Sequence, residues 1–320
     1  MNSEMSPRHQ RPIKSLDRFL FGAPYYPEHW TAKQRADDAK RMAEAGVNVV
    51  RMAEFAWHVI EPAREKYDWG LFDETIDSLA EHGIATMMCT PTATPPRWLT
   101  QDHPEWMRVD EQGNVMEHGT RQHCCTTAEG FRSESDRITR AMAEHYADNP
   151  NVIGWQTDNE LYCHFSLCFC DACVEGFQAW LRERYGDIAS VNRAWGTDFW
   201  ALKFDDFSQV PLPYPNNRPA YPNPTHELDY YRFLSDAVTE FQRRQVEILR
   251  EANPGWWIQH NGLFDVIDYW KFTEDLDFLA VDVYPGFGVR KPEDSVWPAV
   301  INERCRANSG GYIVPEQQGG

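Results

Sequence analysis

The sequence predicts an α/β fold, specifically a (β/α)8 TIM barrel that stops before its eighth strand. Short apolar runs alternate with segments of helical periodicity along the chain, which is the pattern of a parallel sheet with crossover helices. The 320 residues, 42% of them hydrophobic, are enough for one large barrel. Seven strand-like runs are present, and the sequence ends four residues after Glu316. Because a closed barrel needs a full set of strands, we expect an incomplete one.

The predicted strands are runs of six to ten residues in which apolar side chains dominate. In chain order they are residues 19–26, 47–52, 84–90, 151–160, 256–261, 276–284 and 311–316. The fourth and the seventh of these runs each finish on a glutamate. This placement matters because the carboxyl ends of barrel strands carry the functional residues.

Helices are predicted between the strands from the spacing of apolar residues and from stop signals. The segments 32–46 and 71–83 both end on glycine, a frequent residue at helix ends. Three further segments have apolar residues in helical register, at 133–146, 174–185 and 228–251. Residues 210–224 are rich in Pro and Asn and are predicted to form a long surface loop.

We divide the chain into a disordered tail, residues 1–18, and a barrel domain, residues 19–320. The tail lacks the apolar region of a signal peptide, and no run of 18 apolar residues occurs, so a membrane span is excluded and the cytoplasm is expected. The formal charge of −18 argues against nucleic acid as a partner, because phosphate binding needs clustered Lys and Arg. The acidity fits an uncharged substrate.

Two glutamates at predicted strand ends are the candidate catalytic residues. Glu160, preceded by Asn159, and Glu316 fit a retaining glycosidase, which uses one carboxyl group as proton donor and the other as nucleophile. An amide beside the donor can hydrogen-bond a sugar hydroxyl in the transition state. Two other interpretations stay open: Asn159 and Glu160 can cap the following helix, and Glu316 can be a solvated chain end.

Three cysteines, Cys168, Cys170 and Cys173, fall within six residues after the fourth strand. Without a secretory signal, such clustering favours a metal over a disulfide. Three thiolates and one further donor form a closed, structural zinc site. The candidates for the fourth ligand are Cys125, Cys124 and Cys163. The alternative is three free thiols in a loop.

Two more polar residues are candidates for substrate contact. Arg121 lies in the loop after the third strand, and Tyr284 lies at the tip of the sixth. Each has a second interpretation, since Arg121 can be an ordinary loop arginine in an acidic protein and Tyr284 can serve packing.

Several motifs together resemble glycoside hydrolase family 42, a family of β-galactosidases. The resemblance runs from about Leu20 to the last residue. Its motifs are GAPYYPEHW at 22–30, RMAEFAW at 51–57 with IEP at 60–62, PTATPPRW at 91–98, WQTDNE at 155–160 and WGTDFW at 195–200. By this resemblance Glu160 is the acid/base, Glu316 is the nucleophile, and Arg121, Asn159 and Tyr284 contact galactose.

The resemblance also implies a metal site and an assembly. The cysteine run matches the zinc cluster of the family, whose remaining ligand falls on Cys125. The zinc is then structural, and no organic cofactor is expected. Family members complete the barrel with an eighth strand and add further domains, one of which makes trimer contacts. A homotrimer is therefore the expected state of the full-length protein.

The working hypothesis is hydrolysis of terminal β-D-galactosides with retention of configuration. Two alternatives remain open at this point. The same mechanism can act on β-fucosides or α-L-arabinopyranosides, which share stereochemistry with galactose at several carbons. The chain can also be an inactive, zinc-stabilised fragment that binds sugar without hydrolysing it.

Overall fold

A single parallel sheet organises the chain. The computed structural model describes residues 18–164, 167–214, 223–284 and 296–317. In these ranges seven parallel strands pair in the order in which they occur in the chain. The strands are β1 (Gly22–Pro24), β2 (Val49–Met52), β3 (Ala85–Cys89), β4 (Val152–Gln156), β5 (Trp257–Asn261), β6 (Phe278–Ala280) and β7 (Tyr312–Ile313). This order confirms the predicted incomplete (β/α) barrel.

Helices connect every pair of successive strands in the described chain. They are α1 (Ala32–Glu44), α2 (Trp57–Ile60), α3 (Gly70–Glu81), α4 (Arg97–Asp102), α5 (Glu129–Tyr146), α6 (Asp171–Tyr185), α7 (Ile188–Trp195), α8 (Pro224–Ala252), α9 (Tyr269–Phe272) and α10 (Trp297–Ser309). The five predicted helices correspond to α1, α3, α5, α6 and α8. The sequence analysis missed α7 and α10 and the short helices α2, α4 and α9.

The strands are shorter than predicted, and this moves the candidate site residues onto loops. The prediction that the fourth strand reaches Glu160 is wrong, because β4 ends at Gln156. Asp158 and Glu160 have φ angles of 50° and 43°. These values belong to the left-handed region, which an extended strand cannot contain. Strands β6 and β7 likewise end before Tyr284 and Glu316.

The interior of the barrel is polar near the carboxyl ends of the strands. On β2 the apolar Val50 and Met52 flank Arg51, and all three are buried. Arg51 Nη1 donates to Gln156 Oε1 on β4 at 3.1 Å, and Gln259 Nε2 on β5 donates to the same oxygen at 2.8 Å. Since β2 and β4 are not neighbours in the sheet, these side chains meet across the barrel interior.

Two predictions about the chain ends and loops cannot be compared in full. Residues 1–17 of the predicted tail at 1–18, and residues 215–222 of the predicted loop, lie outside the described residues. Among the residues that are described, no helix combines the length and the apolar character needed to cross a bilayer.

Candidate active site

Polar side chains from six strand ends meet at the carboxyl edge of the sheet. Hydrogen bonds and ion pairs link them across the mouth of the barrel, and Arg51 and Gln156 join the two halves of this network. They are Tyr26 after β1, Glu54 after β2, Asn159 and Glu160 after β4, Asn261 on β5, Asp282 and Tyr284 after β6, and Glu316 after β7. The arrangement places acids and amides where (β/α) barrels carry their chemistry.

The backbone at Glu160 is strained and is held by two amide side chains. The Glu160 N–H donates to Asn261 Oδ1 at 3.1 Å. Gln122 Nε2 donates to the carbonyl oxygen of Glu160 at 2.7 Å and also to that of Asn159. A non-glycine residue with positive φ costs on the order of 1–3 kcal/mol, so these contacts are needed to fix the loop. By holding the backbone, these contacts fix the direction of the Glu160 side chain.

The Glu160 carboxyl group faces Arg121 and Asn159. Arg121 Nη2 lies 2.8 Å from Glu160 Oε2, and Asn159 Nδ2 lies 3.5 Å from the same oxygen. Asn159 is fully buried, and its Oδ1 accepts from Gln156 Nε2 at 3.2 Å and from Asn261 Nδ2 at 3.1 Å. These acceptor contacts orient the Asn159 amide so that its NH2 group points towards Glu160.

The Glu316 carboxyl group is held by an arginine and a tyrosine. Arg51 Nη2 donates to Glu316 Oε1 at 2.5 Å, and the Tyr284 hydroxyl donates to Glu316 Oε2. Arg51 Nη2 also lies 2.7 Å from Glu54 Oε1, which in turn accepts from the Tyr26 hydroxyl at 2.9 Å. Glu316 is therefore a fixed carboxylate that is 15% exposed, and not a solvated chain end.

Glu160 and Glu316 both lie at the mouth of the barrel, and a third acid, Asp282, lies close to both. Burial, followed by the charges of Glu316 and Glu160, raises the pKa of Asp282 to about 9. The same two carboxylates act on Tyr284, whose pKa is raised chiefly by burial. The charges of both glutamates therefore act on Asp282 and on Tyr284, so the two glutamates lie in one electrostatic environment. The structure brings together all five predicted residues: Arg121, Asn159, Glu160, Tyr284 and Glu316.

Several residues of this site were missed by the sequence analysis. Arg51 and Asp282 each interrupt an apolar strand run, and a charged residue in such a run needs a partner. That signal was present but does not name the partners: Arg51 contacts Glu316, 265 positions away, as well as nearby Glu54, and Asp282 contacts Asn261, 21 positions away. Gln122 and Asn261 gave no signal, because their roles depend on loop geometry alone.

A second cluster lies in the loops that precede α5 and α6 and in the first turn of α6. The sulfur atoms of Cys125, Cys168, Cys170 and Cys173 all lie within 4.8 Å of one another, and the four residues are buried. Cys124 is not part of this group, since its sulfur contacts Met107 Sδ at 3.9 Å. Cys163 faces Arg121 Nη2 at 3.8 Å. Geometry thus groups Cys125, among the candidate fourth ligands, with the three clustered cysteines.

The four sulfurs fit a tetrahedral metal ion. Zinc–thiolate bonds of about 2.3 Å imply sulfur–sulfur distances of about 3.8 Å. The Cys125 and Cys173 sulfurs are 3.5 Å apart, close to this value. The Thr127 N–H donates to Cys125 Sγ at 3.4 Å, as expected for a sulfur that carries negative charge. All four cysteines are free thiols in the structure, so the donor set suits a closed structural site.

Fold and site together define a (β/α)-barrel protein with a cluster of carboxyl groups at the carboxyl ends of its strands. Comparison with known proteins narrows this class. The family model described as beta-galactosidase, glycoside hydrolase family 42, matches residues 24–320. The chain belongs to glycoside hydrolase family 42.

Characterised relatives are β-galactosidases from archaea and bacteria. Beta-galactosidase Bga of Halorubrum lacusprofundi is 44% identical over 267 residues, which are 82% of this chain and 38% of that protein. Beta-galactosidase BgaA of a Thermus species is 45% identical over 269 residues, or 83% of this chain and 41% of that protein. The chain thus spans about two fifths of the length of these relatives.

Solved structures show the same fold. A β-galactosidase from the psychrophilic Marinomonas ef1 superimposes with a TM-score of 0.89 at 36% identity, covering 94% of this chain and 48% of that one. A glutamate-to-alanine catalytic mutant of Gan42B, a family 42 β-galactosidase from G. stearothermophilus, superimposes with a TM-score of 0.84 at 27% identity, covering 93% of this chain and 45% of that one.

Proposed function

We propose that this chain forms the catalytic barrel portion of a retaining β-galactosidase that releases terminal, non-reducing β-D-galactose. One observation carries the proposal: Glu160 and Glu316 lie at the same carboxyl edge of a family 42 barrel, where Asp282 and Tyr284 interact with both. The names of the relatives supply the sugar, and the catalytic mutant of Gan42B supports a catalytic glutamate in such a barrel.

Glu316 is the proposed nucleophile. Its two oxygens are held separately by Arg51 and by the Tyr284 hydroxyl. Charge-assisted hydrogen bonds of this kind stabilise a carboxylate and fix its direction. Glu316 attacks the anomeric carbon and forms a glycosyl–enzyme bond as the bond to the leaving oxygen breaks.

Glu160 is the proposed acid/base. It gives a proton to the leaving oxygen in the first step and takes one from the attacking water in the second, which releases galactose and restores Glu316. Arg121, Asn159 and Tyr284 surround the two glutamates and are the proposed contacts for sugar hydroxyls. A hydroxyl beside the anomeric carbon, hydrogen-bonded to Asn159, would contribute to binding the transition state.

Replacing each glutamate by alanine tests both roles. With Glu316→Ala we expect hydrolysis of an aryl β-galactoside to be abolished and azide to restore turnover, with α-galactosyl azide as product. With Glu160→Ala, azide should give β-galactosyl azide, since it attacks the glycosyl–enzyme from the opposite face. The product configuration is read by NMR.

Glu183→Ala, at an exposed position on α6, is the control and should hydrolyse the substrate at the wild-type rate. Unimpaired turnover of Glu316→Ala would refute the nucleophile assignment. Aryl β-fucosides and α-L-arabinopyranosides, assayed in parallel, distinguish the alternative sugars. Galactose binding by calorimetry without any turnover would instead support the sugar-binding fragment.

We also propose that the four cysteines hold a structural zinc ion. Bound zinc would tie the loop at Cys125 to the loop and first turn of α6 at 168–173, and so stabilise this part of the fold. Protein purified under reducing conditions should contain about one zinc per chain, measured by elemental analysis. A chelator should lower its thermal midpoint.

Cys170→Ser should lose the metal, whereas Cys163→Ser, which changes a cysteine outside the group, should retain it. A metal-free wild-type protein with an unchanged midpoint would exclude the zinc site. Thiolate ligands need a reducing compartment, which agrees with the expected cytoplasmic location. A homotrimer, as the resemblance implies, is the proposed assembly of the full-length protein.

A further inference from the structure

A third carboxyl group, that of Asp282, lies beside the two proposed catalytic glutamates. Its position is fixed by the next residue, Val283, whose N–H donates to the Glu316 carbonyl oxygen at 2.8 Å. Asp282 Oδ2 accepts a hydrogen bond of 2.7 Å from Asn261 Nδ2. Asp282 Oδ1 is buried and has no donor among the described residues. One oxygen is thus satisfied as an acceptor and the other is not.

The orphaned oxygen indicates that Asp282 carries a proton. A buried acceptor without a donor costs about 1–3 kcal/mol or more when it is charged. A protonated Oδ1 removes this cost because it becomes a donor, and the Glu160 carboxylate lies within hydrogen-bonding reach to accept. Two ionised carboxylates at this separation would repel each other, so the pair is expected to share one proton.

The charges around Asp282 also favour its neutral form. The titratable and charged groups that face it are Glu160 after β4, Glu316 after β7, Arg51 on β2, Cys163, Tyr284 and Cys305 on α10. Arg51 is shared with Glu54 and Glu316, so it does not neutralise Asp282 by itself. Burial is the largest cause of the raised pKa of Asp282, and the two glutamates add to it.

Arg121 forms an ion pair with Glu160, the other member of this pair. Its Nη2 lies 2.8 Å from Glu160 Oε2, and an arginine at this distance is best satisfied by an ionised carboxylate. The proposed acid step, in contrast, needs the proton on Glu160. Both requirements are met if a neighbouring group holds the proton and transfers it to Glu160 when Arg121 binds the substrate instead.

We infer that Asp282 is the proton-holding partner of Glu160, an inference that rests on the proposed function. When a sugar hydroxyl replaces Glu160 as the hydrogen-bond partner of Arg121, the Asp282 proton moves to Glu160 and leaves Asp282 ionised. Glu160 passes this proton to the leaving oxygen while Glu316 bonds to the anomeric carbon. In the second step Glu160 takes a proton from the attacking water and returns it to Asp282. The proton count is restored after each turnover.

Asp282→Asn tests this role through the leaving group. The variant keeps the size of the side chain and an acceptor for Asn261, but its amide cannot release a proton. We expect kcat/KM to fall about 10²-fold or more for galactosides with alkyl leaving groups, because general acid catalysis contributes about 10²–10⁴-fold. The loss should be much smaller for dinitrophenyl galactoside, whose leaving group needs no proton. The alkaline limb of the kcat/KM profile should move to lower pH.

Glu160→Gln is the reference variant, since it removes the proposed acid itself. If Glu160→Gln shows no dependence on the leaving group, the proposed acid/base role fails. If it shows the dependence and Asp282→Asn lowers kcat/KM equally for both substrates, or for neither, the inference about Asp282 alone is overturned. If Asp282→Asn only disturbs the structure, kcat/KM falls by the same factor for both substrates.

Infrared spectroscopy of the wild-type protein tests the inference without turnover. At pH 8 we expect the carbonyl band of a protonated carboxylic acid that shifts on ¹³C labelling of aspartate. The pKa of Asp282 is about 9, whereas that of Asp158, which burial raises to about 6, leaves Asp158 ionised at this pH. Absence of the band, or its persistence in a folded Asp282→Asn variant, would contradict the inference.

Discussion

Arg51 shows how one buried charge serves both stability and the site. It is 2% exposed, and its Nη2 lies 2.7 Å from Glu54 Oε1 and 2.5 Å from Glu316 Oε1. Removing one member of a buried ion pair leaves an uncompensated charge, at a cost of about 3–5 kcal/mol. The arginine that aligns the proposed nucleophile therefore also neutralises Glu54, which is fully buried, so its two roles cannot be separated by simple truncation.

His260 gives the folded chain a pH-dependent stability. Thr157 O can only accept, so His260 Nδ1 carries the hydrogen and donates at 2.7 Å, while Nε2 accepts the Leu161 N–H at 3.3 Å. Burial lowers the pKa of His260 from 6.5 to about 4. The unfolded chain therefore takes up a proton first as the pH falls. The resulting stabilisation is present above pH 6.5 and is lost progressively between pH 6.5 and 4.

We predict that the stability difference between wild type and His260→Gln shrinks by about 2 kcal/mol between pH 7 and pH 4.5, since a pKa fall from 6.5 to about 4 corresponds to about 3 kcal/mol in full. The measurement is urea denaturation at each pH. His82→Gln, at the exposed C-terminal end of α3, is the control, and its stability difference from wild type should stay nearly constant between the two pH values. A constant difference for His260→Gln would mean that this histidine takes up its proton equally in the folded and the unfolded chain, and would contradict the prediction.

The sequence identified site residues that stand at the ends of apolar runs. Glu160, Glu316 and Tyr284 were predicted in this way and Asn159 as the neighbour of Glu160, whereas Arg121 was predicted as a polar residue of the loop after the third strand. Residues whose roles depend on contacts across the barrel were not found. Asp282 and Gln122 are examples, because their partners come from other strands and loops. The pattern of one strand does not encode which side chain will face it.

The pairing of β4 with β5 depends on a glycine. Gly154 on β4 lies opposite Trp257 on β5 in the sheet register. A methyl group added at Gly154 would come within 2.3 Å of Trp257 Cε2. The indole is 1% exposed and packs edge-on against Phe278 with ring centroids 6.2 Å apart, so it has little room to move. The small residue thus creates the space that the tryptophan fills.

We predict that Gly154→Ala lowers the free energy of unfolding by about 1–3 kcal/mol or more, because overpacking forces a buried side chain or the backbone to shift. In a chain that carries both Gly154→Ala and Trp257→Leu, the loss of unfolding free energy should be smaller than the sum of the two single losses. The smaller leucine side chain leaves room for the added methyl group. Both effects are measured by urea denaturation.

Gly70→Ala provides the matched control for this substitution. A methyl group at Gly70, the first residue of α3, would meet its nearest neighbour at an ordinary 3.4 Å. The change should be neutral or slightly stabilising, by up to about 1 kcal/mol, because alanine favours a helix over glycine. Equal losses for Gly154→Ala and Gly70→Ala would show that the contact with Trp257 does not limit the packing.

Element type was predictable from periodicity, but element boundaries were not. All seven strands occur within the predicted runs. The fourth run was predicted to extend to Glu160, but β4 ends at Gln156, where the sequence becomes polar. The left-handed φ angles of Asp158 and Glu160 depend on the clamp from Gln122 and Asn261, which lie elsewhere in the sequence. Helix α7 was missed because its eight residues are too few for a clear period.

The sheet as a whole has a strong centre and weak edges in the described part of the chain. Strands β3, β4 and β5 each have five residues and pair on both sides. Strand β1 has three residues and β7 has two, and each pairs on one side only. Local opening free energies follow the number of buried contacts and hydrogen bonds that are broken, so the strands are not expected to open together.

We predict that amide hydrogen exchange is at least about 10²-fold slower in β4 and β5 than in β1 and β7, a difference of about 2.7 kcal/mol in opening free energy. Every residue of β5 is buried, whereas Tyr312 of β7 is 40% exposed, so water reaches the edge amides first. Mass spectrometry of exchanged, protease-digested protein gives the protection of each segment. Exchange on the buried face of α8, a 29-residue helix that packs on α5, is the internal reference for slow opening. Equal protection of β7 and β4 would contradict the prediction, because it would require both to open only in global unfolding. Protection of β7 that rises when galactose is added would indicate that Glu316, three residues beyond β7, is ordered further by the sugar.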